Sequence, residues 1–129
     1  MEEEFIPYSK QNISQEDINA VSLVLKSKFI TQGPYVDIFE KAISKKVKAK
    51  FAIALNSATS ALHLACLALD LKEGDYLWTT PISFVASANC ARYCSANVSF
   101  VDINSSTGLI SINELEEKLK IAAKKNKLP

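Results

Sequence analysis

Five consecutive small or polar residues, Asn56-Ser57-Ala58-Thr59-Ser60, stand between an apolar run, Phe51 to Leu55, and a second apolar stretch, Ala61 to Leu69. Side chains this small let a ligand reach the backbone. The opening N–H groups of a helix have no partner inside it, so an anion of phosphate size fits there. The same residues also suit a plain N-cap, in which Ser57 or Thr59 accepts from the first turn and binds nothing. Two further positions widen the chemistry: Phe84 offers an aromatic face after Thr80-Pro81-Ile82-Ser83, and Asp102 offers a carboxylate. Each has a bland reading as well, Phe84 as a core residue at a helix start and Asp102 as the cap of the next turn. Donors for a phosphate beside a flat ring suit a nucleotide or a phosphorylated pyridine. The glycine patterns of dinucleotide folds and P-loops are absent, the glycines being Gly33, Gly74 and Gly108, which disfavours NAD and ATP. His63, the sole histidine, lies on a nearly all-apolar stretch, where a buried, hydrogen-bonded ring is expected rather than a catalyst.

The elements that must position these groups follow from periodicity. Phe51 to Leu55 reads as a strand buried on both faces, and Ala61 to Leu69 as a buried helix. Upstream, Phe5-Ile6-Pro7-Tyr8-Ser9 is an extended lead-in. Ser14 and Asp17 resemble a capping box for a helix to about Ser27, with Ile18, Val21 and Leu25 on one face. Gly33-Pro34 opens a second amphipathic helix striped by Val36, Phe39, Ile43 and Val47 and ending in Lys45, Lys46 and Lys48. Downstream, Tyr76 to Thr80 and Val98 to Asp102 have strand composition. Ser83 can cap a helix through Tyr93, and Ser111 with Glu114 another carrying Leu115, Leu119 and Ala122. Alternating strands and helices imply right-handed βαβ units on a mostly parallel sheet, an α/β fold. Ligands in such sheets bind beyond the carboxyl ends of the strands, where the candidate groups lie.

Composition sets the bounds. With 129 residues, 48% hydrophobic and 22% charged, the chain is globular in composition and can bury one core, in one domain at most. A net charge of +1 gives no general pull toward nucleic acid or an anionic membrane. The acidic start, Met1-Glu2-Glu3-Glu4, is unlike a secretory signal, and no apolar run has the length of a membrane span, so a cytoplasmic address is expected. Cys66, Cys90 and Cys94 are expected as reduced, buried thiols, and the lysines near the end as a solvated face. The last helix runs to Pro129 with no further strand, so the chain reads as the front part of a larger α/β protein.

Four motifs, in order, carry a resemblance: Phe29-Ile30-Thr31-Gln32-Gly33-Pro34 with Phe39-Glu40, Asn56 to Ala65, Thr80 to Asn89, and Phe100-Val101-Asp102-Ile103. Together they resemble the opening third of the DegT-type sugar-nucleotide aminotransferases, fold-type I enzymes dependent on pyridoxal phosphate. The resemblance implies the front of the cofactor-binding large domain over residues 15–129, with residues 1–14 as an arm. It implies that Ser57, Ala58 and Thr59 hold the cofactor phosphate and that Phe84 stacks on the pyridine ring. It places Tyr8, Lys28, Phe29, Ile30, Thr31 and Ala58 against a UDP-linked 4-keto-6-deoxy sugar, with glutamate as amino donor and a homodimer as the working form. Asn56 to Ala61 looks most like the transaminase of the pseudaminic acid route, with spore-coat polysaccharide enzymes near. The family's cofactor-bonding lysine has no match before Pro129, which implies no catalytic residue and no turnover by this chain alone. Some members replace that lysine with histidine and are dehydratases. A non-catalytic α/β interaction domain is the reading that needs no cofactor.

Overall fold

The computed structural model describes residues 5–125 and 128–129. The first four residues of the expected arm, and Lys127 among the expected solvated lysines, lie outside them. The chain divides into two compact units, Met1–Ala54 and Leu55–Pro129.

In the first unit, helix α1 spans Gln15–Leu25 and opens with the complete capping box: Asp17 N–H donates to Ser14 Oγ at 3.2 Å, and Ser14 N–H to the Asp17 carboxylate at 2.8 Å. Helix α2 spans Pro34–Val47, with Gly33 as N-cap and proline at its first position, whose missing N–H costs nothing there. Lys45 and Lys46 fill its last turn, while Lys48 is the left-handed C-cap at φ 55°. Neither helix fully buries a side chain, in keeping with two surface-lying amphipathic helices. The stretch after α2 departs from expectation. Phe51 to Leu55 forms no strand among the described residues, and Phe51 and Ile53 are 75% and 78% exposed. What fastens its end is one side chain: the Glu40 carboxylate accepts from Ala54 N–H at 2.8 Å.

The second unit holds α3 (Ala58–Ala68), β1 (Tyr76–Thr79), α4 (Ala86–Tyr93), β2 (Asn97–Phe100) and α5 (Ile112–Lys124). Strands β1 and β2 form a parallel pair, Tyr76 opposite Asn97 and Thr79 opposite Phe100. The pairing continues past both ends, with Asn97 N–H on Asp75 O at 2.8 Å and Val101 N–H on Thr79 O at 2.9 Å. The architecture is the expected α/β with a parallel sheet, of two strands rather than three among the described residues.

Its core is small. Cys66 of α3 meets Cys90 of α4 and Cys94, that helix's C-cap, with Leu71 and Leu77 packed against them. Cys90 and Cys94 lie one turn apart, so both reach the same neighbour. All three are free thiols acting as small apolar groups, as expected, and burial pushes the Cys66 thiol up to about 11. Helix α3 is buried only at Cys66; Leu62, Leu64 and Leu67 are exposed, against the expectation of a buried helix. Helix α5 turns Leu115, Leu119 and buried Ala122 inward, as its period implies. Of its expected capping box, only the Ser111 half forms, accepting from Glu114 N–H.

Candidate functional site at the start of α3

Helix α3 begins three residues earlier than the apolar period suggests, because Ala58, Thr59 and Ser60 form its first turn. Ser57 is the N-cap, extended at φ −161° and ψ 156°, and its hydroxyl accepts from Ser60 N–H at 3.1 Å. Ser60 Oγ in turn donates to Asn56 Oδ1 at 2.8 Å, tying the loop before the cap to the first turn. Ala61 N–H closes the first intrahelical bond, to Ser57 O at 3.1 Å. Ala58 and Thr59 are left with N–H groups that find no acceptor among the described residues. The helix dipole points the same way, so this end attracts a negative charge.

The cap and the open amides therefore coexist. Ser57 caps Ser60, and the two preceding amides stay open beneath side chains no larger than threonine. A phosphate fits these donors, with the Thr59 hydroxyl beside them.

Phe84 lies on the loop after β1, 75% exposed, so it is not the core residue of its bland reading. Exposure is shared with Ile82 and Val85 in the same loop, which leaves from the carboxyl end of β1. Contrary to the expected cap, Ser83 does not cap α4 but shares a hydrogen bond with the Ser87 hydroxyl at 3.0 Å, and the helix starts at Ala86 behind Val85. Asp102 turns its carboxylate onto the next amide, accepting from Ile103 N–H at 2.8 Å, which is the turn-capping alternative. His63 is half-buried against the Tyr93 ring, centroids 5.3 Å apart, rather than buried and hydrogen-bonded.

The residues expected to meet a sugar substrate fall in different units. Tyr8 is fully exposed in the lead-in, and Lys28, Phe29, Ile30 and Thr31 occupy the bend between α1 and α2. Ala58 belongs to the second unit. Within the bend, Lys28 Nζ stands 5.7 Å from the Phe29 ring centroid, and Ser27 Oγ donates to Phe29 O at 3.1 Å. One residue close to the strand ends escaped the sequence: Lys118, whose ammonium reaches Ser99 and Phe100 of β2. The signal was its place in the inward stripe of α5, between Leu115 and Ala122.

No helix among the described residues is long and apolar enough to cross a membrane. Among curated proteins, a Campylobacter jejuni UDP-4-amino-4,6-dideoxy-N-acetyl-beta-L-altrosamine transaminase is 48% identical over 114 residues, 88% of this chain and 30% of its own length. The Bacillus subtilis spore coat polysaccharide biosynthesis protein SpsC is 39% identical over 112 residues, 87% of this chain and 29% of its own. The chain thus spans about 30% of the length of the curated relatives it matches. Among solved structures, the PLP form of the putative sugar aminotransferase Spr1654 from Streptococcus pneumoniae superposes with a TM-score of 0.83 at 30% identity, covering 87% of this chain and 29% of that one. Helicobacter pylori PseC, an aminotransferase involved in the biosynthesis of pseudoaminic acid, gives 0.81 at 37%, covering 86% and 30%. The E. coli GDP-4-keto-6-deoxy-D-mannose-3-dehydratase with bound hydrated PLP gives 0.81 at 29%, covering 86% and 30%. The family model that describes the DegT/DnrJ/EryC1/StrS aminotransferases matches residues 11–125, nearly the whole chain, and the chain belongs to that family.

Proposed function

We propose that this chain is the cofactor-seating front portion of a pyridoxal-phosphate-dependent aminotransferase that acts on a UDP-linked 4-keto-6-deoxy sugar for cell-surface polysaccharide or glycan synthesis. Residues 15–129 are its part of the large domain and residues 1–14 its arm. Glutamate is the donor, the working form a homodimer, and the address the cytoplasm. The observation that carries this reading is the pair of open amides, Ala58 and Thr59, at the start of α3.

Each proposed residue has a physical task. Ala58 and Thr59 donate to the phosphate, while Ser57 fixes the turn that aims them. Phe84 covers one face of the pyridine ring, keeping water from it. Tyr8, Lys28, Phe29, Ile30, Thr31 and Ala58 form the sugar-facing set. Bound pyridoxal phosphate supplies an electron sink at the substrate carbon. The amine that moves protons there is assigned to the part of the relatives that this chain does not span, so the chain alone binds without turnover. The solved dehydratase shares the fold and leaves the same front portion open to that chemistry; the 48% relative named a transaminase favours amino transfer.

The test is calorimetric titration of the chain with pyridoxamine 5′-phosphate, which cannot bond to surface lysines as the aldehyde does. Binding weakened about 5- to 10-fold by Thr59→Ala, the loss of roughly one charge-assisted hydrogen bond, supports the reading. Equal, weak binding by both proteins favours the interaction domain instead.

A further inference from the structure

Lys118 makes an unusual choice of partners. It stands on α5 with Glu114 one turn before it, the spacing at which helical ion pairs form, and Lys120 does pair that way with Glu116 at 2.7 Å. Among the described residues Lys118 forms no ion pair with Glu114. It lines a cleft with Asp102, Glu114 and Glu117, yet its ammonium leaves these carboxylates and crosses to the sheet. There Nζ donates to Ser99 Oγ at 2.6 Å and to the Phe100 carbonyl, and lies 4.8 Å from the Trp78 ring centroid. One cation therefore touches the last residues of both strands: Trp78 one step from the end of β1, Ser99 and Phe100 at the end of β2.

These ends matter because the loops of the candidate site leave from them. Thr79 O accepts from Val101 N–H, Asp102 comes next, and the loop to Phe84 starts at Thr79. The ends of a two-stranded ladder are where pairing frays first, since their groups have fewest neighbours, and the carboxyl end is the one Lys118 reaches. A half-buried ammonium with three donors in a partly dry setting is a strong way to stop that.

We infer that Lys118 is a positioning residue: it locks the carboxyl ends of β1 and β2 against each other and so holds the ring-facing side of the candidate site at a fixed height beside the anion seat. This rests on the cofactor reading above. Lys118 touches no ligand in it and acts through Phe100 and Trp78.

The experiment compares the chain with Lys118→Met, which keeps the apolar stem, and Lys118→Arg, which keeps charge and donors. Amide hydrogen exchange is read by residue at the two ends of β2. In Lys118→Met the Val101 amide is expected to exchange about 10-fold faster while the Asn97 amide, at the far end of the strand, stays within 2-fold; Lys118→Arg restores Val101. Pyridoxamine 5′-phosphate then binds Lys118→Met several-fold more weakly, with inorganic phosphate binding unchanged, because only the ring side has loosened. Equal acceleration at Asn97 and Val101 marks general loss of stability and overturns the inference, as does no acceleration at either. If the unaltered chain binds pyridoxamine phosphate no better than inorganic phosphate, the cofactor reading falls and takes with it the claim that the lock serves a ring, whereas a Lys118→Met chain with loosened strand ends and undiminished pyridoxamine phosphate binding overturns the positioning role alone.

Discussion

At the scale of single residues, the first turn of α3 allows an amide to be removed without disturbing the helix. Ala58 occupies the first helical position, where proline is favoured, and Ser57 before it has the extended backbone that a following proline requires. Ala58→Pro should leave the unfolding free energy within about 0.5 kcal/mol of the parent, or raise it slightly, because the lost N–H had no helical partner. Phosphate affinity should drop by roughly 10-fold, the worth of about 1.4 kcal/mol for a charge-assisted bond. Calorimetry beside a denaturant curve checks both halves. Intact affinity would mean that the anion, if one binds, sits elsewhere. The Ser57 cap was legible in sequence, since a serine before a run of small residues is a local signal. It misjudged the helix start, because Ala58-Thr59-Ser60 is as acceptable inside a helix as before one.

At the scale of elements, the bend between α1 and α2 depends on room rather than on backbone freedom. Gly33 has an ordinary φ of −81°, but a Cβ there would lie 2.8 Å from the Phe29 carbonyl oxygen. Backbone cannot swing aside as a long side chain can. Gly33→Ala should therefore cost about 1–3 kcal/mol and shift the bend from Lys28 to Gln32, the proposed sugar-facing segment. Chemical-shift changes centred on those residues, read against quiet signals from α5, are the check. Capping and helix-opening signals here were legible in sequence: Ser14 with Asp17, and Gly33-Pro34, act within three or four residues. The stretch from Phe51 to Leu55 was not. Its composition favours extension, but a strand is completed by a partner that neighbouring residues do not supply. The same reason explains α3, whose apolar period was read correctly while its degree of burial was not.

At the scale of the whole molecule, the chain has a buried core of small side chains: Cys66, Ala86, Cys90, Ala91, Cys94, Ala96, Val101 and Ala122, all within the second unit. A core made largely of alanine and cysteine withdraws little area from water per residue, so stability rests on few contacts. The thiols give it a pH signature. Cys66 holds its proton more tightly when folded, about 11 against the ordinary 9.0, so its contribution is whole below 9.0 and lost as pH rises toward 11. Urea midpoints should fall over that span, and less steeply in Cys66→Ala; parallel declines would remove the thiol from the explanation. The contact between Lys118 and Trp78 has a use of its own. As Trp78 is the chain's one indole, lifting α5 off the sheet takes a charge away from the sole strong emitter. The molecule thus carries an optical gauge of that docking, readable in bare solution with no dye attached.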